Sequence, residues 1–177
     1  MLSIRPIADI KVDLLVNHEV LRNFPRLLDF PFGDLYREIA TRIKTVEISS
    51  ECILFDSVRS YNETMSFADP DHWLADSSSE EIADFWIFGQ NGQGDLWLFD
   101  KEDRVYFFDH NREQMCRNNF LDLGLNFGRW LQFAQLNKQL DIICDIEDEI
   151  SERLKQEYRS RLNELSELLL RNYPFYI

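Results

Sequence analysis

The chain contains little glycine and proline, with six and five of these residues among 177. Because both residues concentrate in turns and irregular segments, their scarcity argues against a loop-rich or low-complexity protein. We therefore expect regular elements joined by short connections. Hydrophobic residues make up 45% of the chain and aromatic residues 14%, which is enough apolar material for a core. We predict a single domain over residues 1–177.

Cysteine is also scarce, and its pattern carries no known ligand spacing. Cys52, Cys116 and Cys144 lie far apart, without a CxxC pair and without a nearby cluster of cysteine and histidine. This pattern argues against both a disulfide framework and a zinc knuckle. We expect the three thiols to be free.

Long hydrophobic runs are missing as well. No apolar stretch approaches the roughly 20 residues that a membrane-spanning helix needs. Near the start of the chain, Asp9, Lys11 and Asp13 interrupt the apolar residues, so the pattern of a secretory signal is not met. We predict a cytoplasmic protein with no membrane contact.

Positive charge is scarce relative to negative charge. The chain has 19 lysines and arginines against 32 acids, a formal net charge of −13. Such an excess of negative charge disfavours binding to nucleic-acid phosphates or to anionic lipid. A basic protein is the better electrostatic match, and the alternative is that the acidity only maintains solubility.

The acids are concentrated in two parts of the chain. Residues 60–100 contain nine acids and no lysine or arginine, and residues 141–152 contain six acids and again no base. In the second run, Asp145, Glu147 and Asp148 are expected in the first turn of a helix, where its dipole favours them. The loop acids of the first run have no such explanation. The predicted partner-binding residues are Asp69, Asp71, Asp76, Glu80, Glu81 and Asp84.

The clearest structural signal lies at residues 84–109. Three apolar runs, at 85–88, 96–99 and 105–108, recur about ten residues apart and are separated by turn residues. They predict a β-meander whose strands are covered on both faces. A further strand is expected at residues 52–55. We also expect Trp86, Trp97 and Trp130 to be buried, and Gly92 or Gly94 to adopt a positive φ.

The remaining segments favour helices and loops. Residues 12–32 predict helical pieces broken by proline, and Asp34 is expected to cap a short helix. Residues 62–79 look like a polar, turn-rich loop in which one aromatic, Trp73, serves as an anchor. Beyond Asn111 the pattern turns helical, with Phe127, Trp130 and Ala134 on one side of a segment that runs to about Leu140 and should cover the sheet. Apolar residues at three- or four-residue steps from Asp145 to Leu169 predict a long C-terminal amphipathic helix. The fold class is therefore α+β, with a mostly antiparallel sheet.

The chemical motifs are weak. The glycines at 92 and 94 precede a strand, whereas a dinucleotide or phosphate loop needs a helix there. Asp109 and His110 could form a base with its orienting carboxylate, but neighbouring residues point apart on a strand. No nucleophile motif accompanies them. We predict no catalytic, cofactor-binding or metal-binding residues, and metal binding by Asp71, His72, Asp109 and His110 is not expected.

The central third of the chain resembles a known superfamily. The sequence FWIFGQNGQGDLW at 85–97, VYFFDH at 105–110 and NFGRWLQF at 126–133 are similar to the core strands and following helix of the SUKH superfamily. That superfamily includes bacterial immunity proteins and fungal cell-wall synthesis regulators. The resemblance implies an α+β fold, no enzyme activity, and a function in protein binding.

Three functional hypotheses follow. The first is an immunity protein that neutralises a basic polymorphic toxin, for example of the nuclease type, as the resemblance to bacterial SUKH members implies. The second is a regulatory scaffold that resembles the fungal members. The third is a small hydrolase that uses Asp109 and His110.

Overall fold

A computed structural model describes residues 1–16, 23–26, 28–112, 114–147 and 149–174. Within these residues, the chain contains both α-helices and β-strands, as an α+β protein does. The helices are α1 (Ile7–Leu15), α2 (Asp34–Ala40), α3 (Ser57–Phe67), α4 (Ser79–Ile82), α5 (Phe127–Cys144), α6 (Glu152–Leu165) and α7 (Glu167–Asn172). The strands are β1 (Val46–Ser49), β2 (Cys52–Leu54), β3 (Phe85–Gln90), β4 (Leu96–Asp100), β5 (Val105–Phe108) and β6 (Leu121–Leu125).

The six strands form one antiparallel sheet in the order of the sequence, from β1 to β6. The α+β class, the meander of β3 to β5 and the strand at β2 are confirmed. Strands β1 and β6 were not predicted. Asp122 and Gly124 interrupt the apolar pattern of β6, and β1 contributes only four residues with mixed burial, so neither has a clear strand signal.

Alternating side chains of the three central strands point to opposite faces of the sheet, and both faces are buried. We call them the major face and the minor face. The major face consists of Trp86, Phe88, Trp97, Phe99, Val105 and Phe107. The minor face consists of Phe85, Ile87, Leu96, Leu98, Tyr106 and Phe108. The prediction that these strands are covered on both sides is confirmed.

Helix α5 covers the major face. Trp130 lies across the sheet, with its ring centroid 4.8 Å from that of Phe88 and 5.8 Å from that of Trp97. The predicted burial of Trp86, Trp97 and Trp130 is confirmed, with at most 1% of each side chain exposed. The helix runs to Cys144, four residues beyond the predicted end.

Helix α3 packs along the edge of β3, and its existence corrects residues 62–67 of the predicted loop. Asp56 caps the helix by accepting hydrogen bonds from the N–H groups of Val58 and Arg59. The buried side of the helix is small and polar, and Ser60 and Thr64 hydrogen-bond to the backbone of Ile87. This polar buried side removes the apolar periodicity by which such a helix is recognised.

The C-terminal helical region begins later than predicted. Helix α6 starts after Ser151, whose hydroxyl accepts from the N–H of Leu154, and a second serine cap at Ser166 separates α6 from α7. Asp145 is the residue that ends α5, so the predicted favourable position at a helix start is wrong. Ile146 is exposed rather than packed. The same prediction for Asp148 lies outside the described residues.

The N-terminal third differs in part from expectation. Helix α1 begins at Ile7, and the described residues 23–26 and 28–33 form no helix, although 12–32 was predicted as helical pieces. Residues 17–22 and 27 lie outside the described part of the chain. The short helix α2 is confirmed, but Gly33 is its N-cap and Asp34 is its first helical residue, without a capping hydrogen bond.

Two glycines of the meander have a clear conformational role. Gly94 has a φ of 95° in the turn between β3 and β4, which confirms the prediction of a positive φ there. Gly89 lies against strand β2, where an added Cβ would come within 2.5 Å of the carbonyl oxygen of Ile53. A larger side chain at Gly89 would therefore separate β2 from β3.

Candidate functional site

The segment of residues 69–84, which we call the acidic strap, crosses the minor side of the sheet between α3 and β3. Trp73 anchors it: its indole N–H donates to the carbonyl oxygen of Phe67 at 2.6 Å, and its ring stacks on Phe85. The backbone beside Trp73 pairs with Met115, through bonds of 2.8 Å from the Met115 N–H to His72 and 3.0 Å from the Leu74 N–H to Met115. The predicted anchoring role of Trp73 is confirmed, and the strap has a defined path.

Helix α4 lies at the end of the strap. The Ser78 hydroxyl caps it by accepting from the N–H of Glu81 at 3.1 Å. Ile82 packs against the minor cluster, which orients this single turn on the surface. Glu80 is consequently exposed, and Glu81 is half-buried.

Four of the six predicted partner-binding acids are exposed, namely Asp69, Asp71, Asp76 and Glu80. Among the described residues, no lysine, arginine or histidine forms an ion pair with any of them. Asp69 has a local structural role, because its carboxylate accepts a hydrogen bond from the N–H of Asp71. The other three carboxylates face solvent, so their charges are available to a partner.

The remaining two predicted acids have structural partners. Asp84 forms ion pairs of 3.1 Å with both Lys101 and Arg117. Glu81 accepts a hydrogen bond from the backbone N–H of Arg117 at 3.1 Å. The Arg117 guanidinium in turn lies over the ring of Phe85, 4.8 Å from its centroid. The expectation that all six acids are freely exposed is therefore corrected for Glu81 and Asp84.

A groove of about 520 Å³ runs between the strap and the segment that follows Cys116. Four carboxylates and one guanidinium line it, and two of those carboxylates are engaged with Arg117 as described. The other two lining carboxylates, those of Asp76 and Glu80, form no ion pair with any described residue. The groove therefore presents net negative potential to an approaching molecule.

The pair Asp109 and His110 is arranged differently from the sequence expectation. Both residues follow the end of β5, so the alternation of a strand does not separate them. The His110 Nδ1 atom lies 2.6 Å from the carboxylate of Asp95, whereas Asp109 accepts two hydrogen bonds from Asn111. These bonds from Asn111 lower the pKa of Asp109. The orienting carboxylate of His110 is therefore Asp95, which the sequence reasoning missed.

Strand pairing explains this contact. Leu96 lies opposite Phe108, so Asp95 faces the residues just beyond β5. Asp95 is buried and also accepts a hydrogen bond from the Asn91 side chain at 2.9 Å, which ties the β3–β4 turn to the end of β5. A carboxylate oxygen of Asp95, a carboxylate oxygen of Asp109 and a ring nitrogen of His110 lie within 4.8 Å of one another and could act as ligands. Because Asn91, His110 and Asn111 already donate to these carboxylates, we interpret the cluster as a structural contact between the β3–β4 turn and the end of β5.

A hydrolytic site would need a nucleophile beside His110. Within the described ranges, the hydrogen bonds of His110 run to Asp95, and no hydroxyl or thiol donates to its ring. Asp71 and His72 belong to the strap and do not join the Asp95 cluster. The geometry therefore adds nothing that favours hydrolysis.

The second acidic run has a partial structural explanation. Asp141 accepts hydrogen bonds from the N–H and the hydroxyl of Ser50, at 2.8 and 3.0 Å. Asp145 and Glu147 are exposed at the end of α5 and form no ion pair with any described residue. They provide a useful comparison surface, since they are exposed acids outside the strap.

Comparison of the chain with protein-family models, with curated proteins and with solved structures finds no match. Among the described residues, no helix has the length and apolar character needed to span a membrane.

Proposed function

We propose that this chain is a non-enzymatic protein-binding domain whose acidic strap receives a basic protein. The observation that carries the proposal is the set of exposed, unpaired carboxylates at Asp71, Asp76 and Glu80, in an interval of the sequence without lysine or arginine. Uniform acidity would serve solubility equally well. A one-signed surface on a well-anchored segment is suited to steering a partner of opposite charge.

The proposed partner is a toxin domain, and the proposed role is that of an immunity protein. This part rests on the resemblance of residues 85–133 to the SUKH superfamily, together with the charge of the strap. A basic nuclease-type toxin needs positive charge to bind nucleic acid, and the acidic strap would compete for that charge. The proposed location is the cytoplasm, where the three cysteines would stay reduced.

The test begins by recovering the protein that co-purifies with a tagged copy from its native cells. Association rates are then measured for wild type, for Asp76→Lys/Glu80→Lys, and for the charge-matched control Asp145→Lys/Glu147→Lys. At low ionic strength, the strap variant should associate roughly tenfold more slowly or worse, because steering is lost. The control should change less, and its rate should keep most of the salt dependence of wild type.

Equal rates for all three proteins would mean that the strap only maintains solubility. The immunity role has its own test, in which the recovered partner is expressed in a host cell with and without the chain. Wild type should restore growth, and the strap variant should restore it less well. A partner that does not harm the host would reject the immunity role and leave the regulatory scaffold as the explanation.

A further inference from the structure

A second concavity lies on the other side of α4, and its lining is apolar. It has a volume of about 280 Å³. Phe30, Phe85 and Trp86 contribute buried aromatic surface, while Met65, Ala68 and Ile82 form the more exposed walls. We call this concavity the α4 pocket.

The buried polar side-chain atoms around the α4 pocket are already satisfied. The Thr64 hydroxyl accepts from the N–H of Ile87 at 3.0 Å, and the Trp86 indole N–H donates to the Ser60 hydroxyl at 2.6 Å. The N–H groups of Ala68 and Ala83 are bonded to carbonyl oxygens of their own helices. A metabolite would thus find few groups to orient it. The volume is also below the range of about 300–1,000 Å³ that is usual for small-molecule sites.

The α4 pocket and the acidic groove share α4 as a common wall. Ser79, Ile82 and Ala83 face the pocket, whereas Glu80 and Glu81 line the groove. Asp29 also lines the pocket, and no lysine or arginine of the described ranges does. The apolar surface is therefore bordered by negative charge on the same side of the molecule.

This combination matches the usual anatomy of a protein interface. The centre of such an interface is an apolar pocket that holds one large anchoring side chain, and charged groups surround it. Met65 is 41% exposed at the wall, and its unbranched thioether can adapt to different ring shapes. Because acids border the α4 pocket, charge complementarity favours a partner that has basic residues next to its anchoring side chain.

From these observations we infer that the α4 pocket binds an apolar side chain, aromatic or leucine-sized, that lies within a basic segment of the protein partner. This inference rests on the proposed function, because the same partner supplies the positive charges for the acidic groove. The acids accelerate encounter, and the α4 pocket retains the partner by burying its anchor.

The first experiment uses defined peptides and does not need the natural partner. The chain has three methionines, so labelling their methyl groups with ¹³C gives three NMR signals. Met1 is 96% exposed and Met115 is 2% exposed, and both serve as internal references for Met65. The probes are a lysine-rich heptapeptide with a central tryptophan, the same peptide with serine in its place, and a neutral tryptophan peptide.

The tryptophan-containing basic peptide should shift the Met65 signal and leave the signals of Met1 and Met115 in place. It should bind roughly tenfold more tightly than the serine peptide, which is the effect expected of one anchoring side chain. The neutral peptide should bind more weakly than the basic one, and the difference should shrink as salt is added.

Variants of the chain locate the binding. Ala68→Leu, which fills the pocket wall, should reduce the advantage of tryptophan over serine, and the matched control Ala75→Leu on the exposed strap should retain it. Equal affinity for the tryptophan and serine peptides, or a shift at Met115 without one at Met65, would overturn the inference. If the serine peptide still binds with a salt dependence that Asp76→Lys/Glu80→Lys removes, the proposed function survives that result. If no basic peptide binds at all, both fail.

Discussion

The two faces of the sheet are both buried, but they are covered by different kinds of structure. The major face belongs to a large cluster, shared with residues of α1, α2, α5, α6 and α7, in which aromatic rings contact one another in series. The minor face is covered by Phe67 at the end of α3, by the acidic strap and by the segment around Phe120, and its cluster is much smaller. Most of the apolar burial therefore lies on the major face, and the acidic strap lies on the other side of the sheet.

The difference follows from the polarity of the covering segments. Helix α5 buries Phe127, Trp130 and Phe133 on the major face, whereas α3 buries Ser57, Ser60 and Thr64 at the edge of β3. Hydroxyl groups that bond to the strand backbone hold a segment in place with little apolar burial. The segments beside α3 can therefore display acids and a groove without weakening the main core.

The largest expected effect tests the major face. Trp97 is completely buried and lies beside Phe107, Phe133 and Tyr173. Its replacement by alanine should reduce the free energy of unfolding by about 3–5 kcal/mol, because the rigid surroundings cannot close the cavity. Urea denaturation followed by circular dichroism measures this change. A loss below about 1 kcal/mol would mean that Trp97 is not part of the major-face core.

A matched pair on one strand compares the two faces directly. Phe107 faces the major cluster and Phe108 the minor one, and both are almost fully buried. Phe107→Ala should cost about 1 kcal/mol more than Phe108→Ala, because a cavity on the thinly covered side can relax more easily. Both variants are compared with wild type in the same denaturation series. A larger loss of unfolding free energy for Phe108→Ala than for Phe107→Ala would mean that the main core lies on the minor face.

The third prediction concerns helix α3, which packs along the edge of β3. Asp56 caps α3, and Asp56→Ala should cost about 0.5–2 kcal/mol. Burial of Asp56 raises its pKa, but hydrogen bonds from Arg59, Thr45 and Val58 outweigh this effect and leave the pKa below its ordinary value. The stabilisation from Asp56 is therefore complete above its unfolded pKa and is lost as the pH falls through the lower folded pKa.

The measurement is the unfolding free energy of wild type and Asp56→Ala between neutral and acidic pH. The difference between them should stay constant at neutral pH and shrink below about pH 4, the ordinary range for aspartate. Asp56→Asn is the control, since asparagine also caps helices and should retain much of the stability. A difference that grows on acidification would contradict the assigned direction of the pKa.

The smallest expected effect distinguishes an ion-paired acid of the strap from an unpaired one. Asp84→Ala should cost up to about 1 kcal/mol, because it removes the ion pairs to Lys101 and Arg117. Asp76→Ala should change stability by less than about 0.5 kcal/mol, since its carboxylate is unpaired among the described residues. Thermal unfolding at low and high salt compares the two. Equal responses would mean that Asp84 has no structural role distinct from that of Asp76.

Several elements were predictable because their signals are local. The strands β3, β4 and β5 are continuous apolar runs between turns, and Gly94 takes a positive φ in a turn that contains two glycines. Helix α3 and strand β6 were missed because their apolar periodicity is broken by residues whose partners lie elsewhere in the chain. The exposed acids of the strap were recognisable from the local excess of negative charge.

The site was predictable only in part. A count of charges cannot distinguish Asp76 from Asp84, because the difference depends on Arg117, which lies 33 residues away from Asp84 in the sequence. The Asp95–His110 contact likewise depends on the pairing of β4 with β5. The α4 pocket brings together residues from α3, α4, β3 and the segment before α2, and no local pattern indicates it.

By itself, the sequence determined the fold class, the central meander and the net charge of the strap, because each depends on residues that are close together in the chain. Tertiary structure decided which acids are neutralised, which carboxylate holds His110, and that the apolar α4 pocket borders the acidic groove. The physical reason is that burial, ion pairing and cavity shape depend on distances between segments that are far apart in the sequence. Packing against the two faces of the sheet determines those distances.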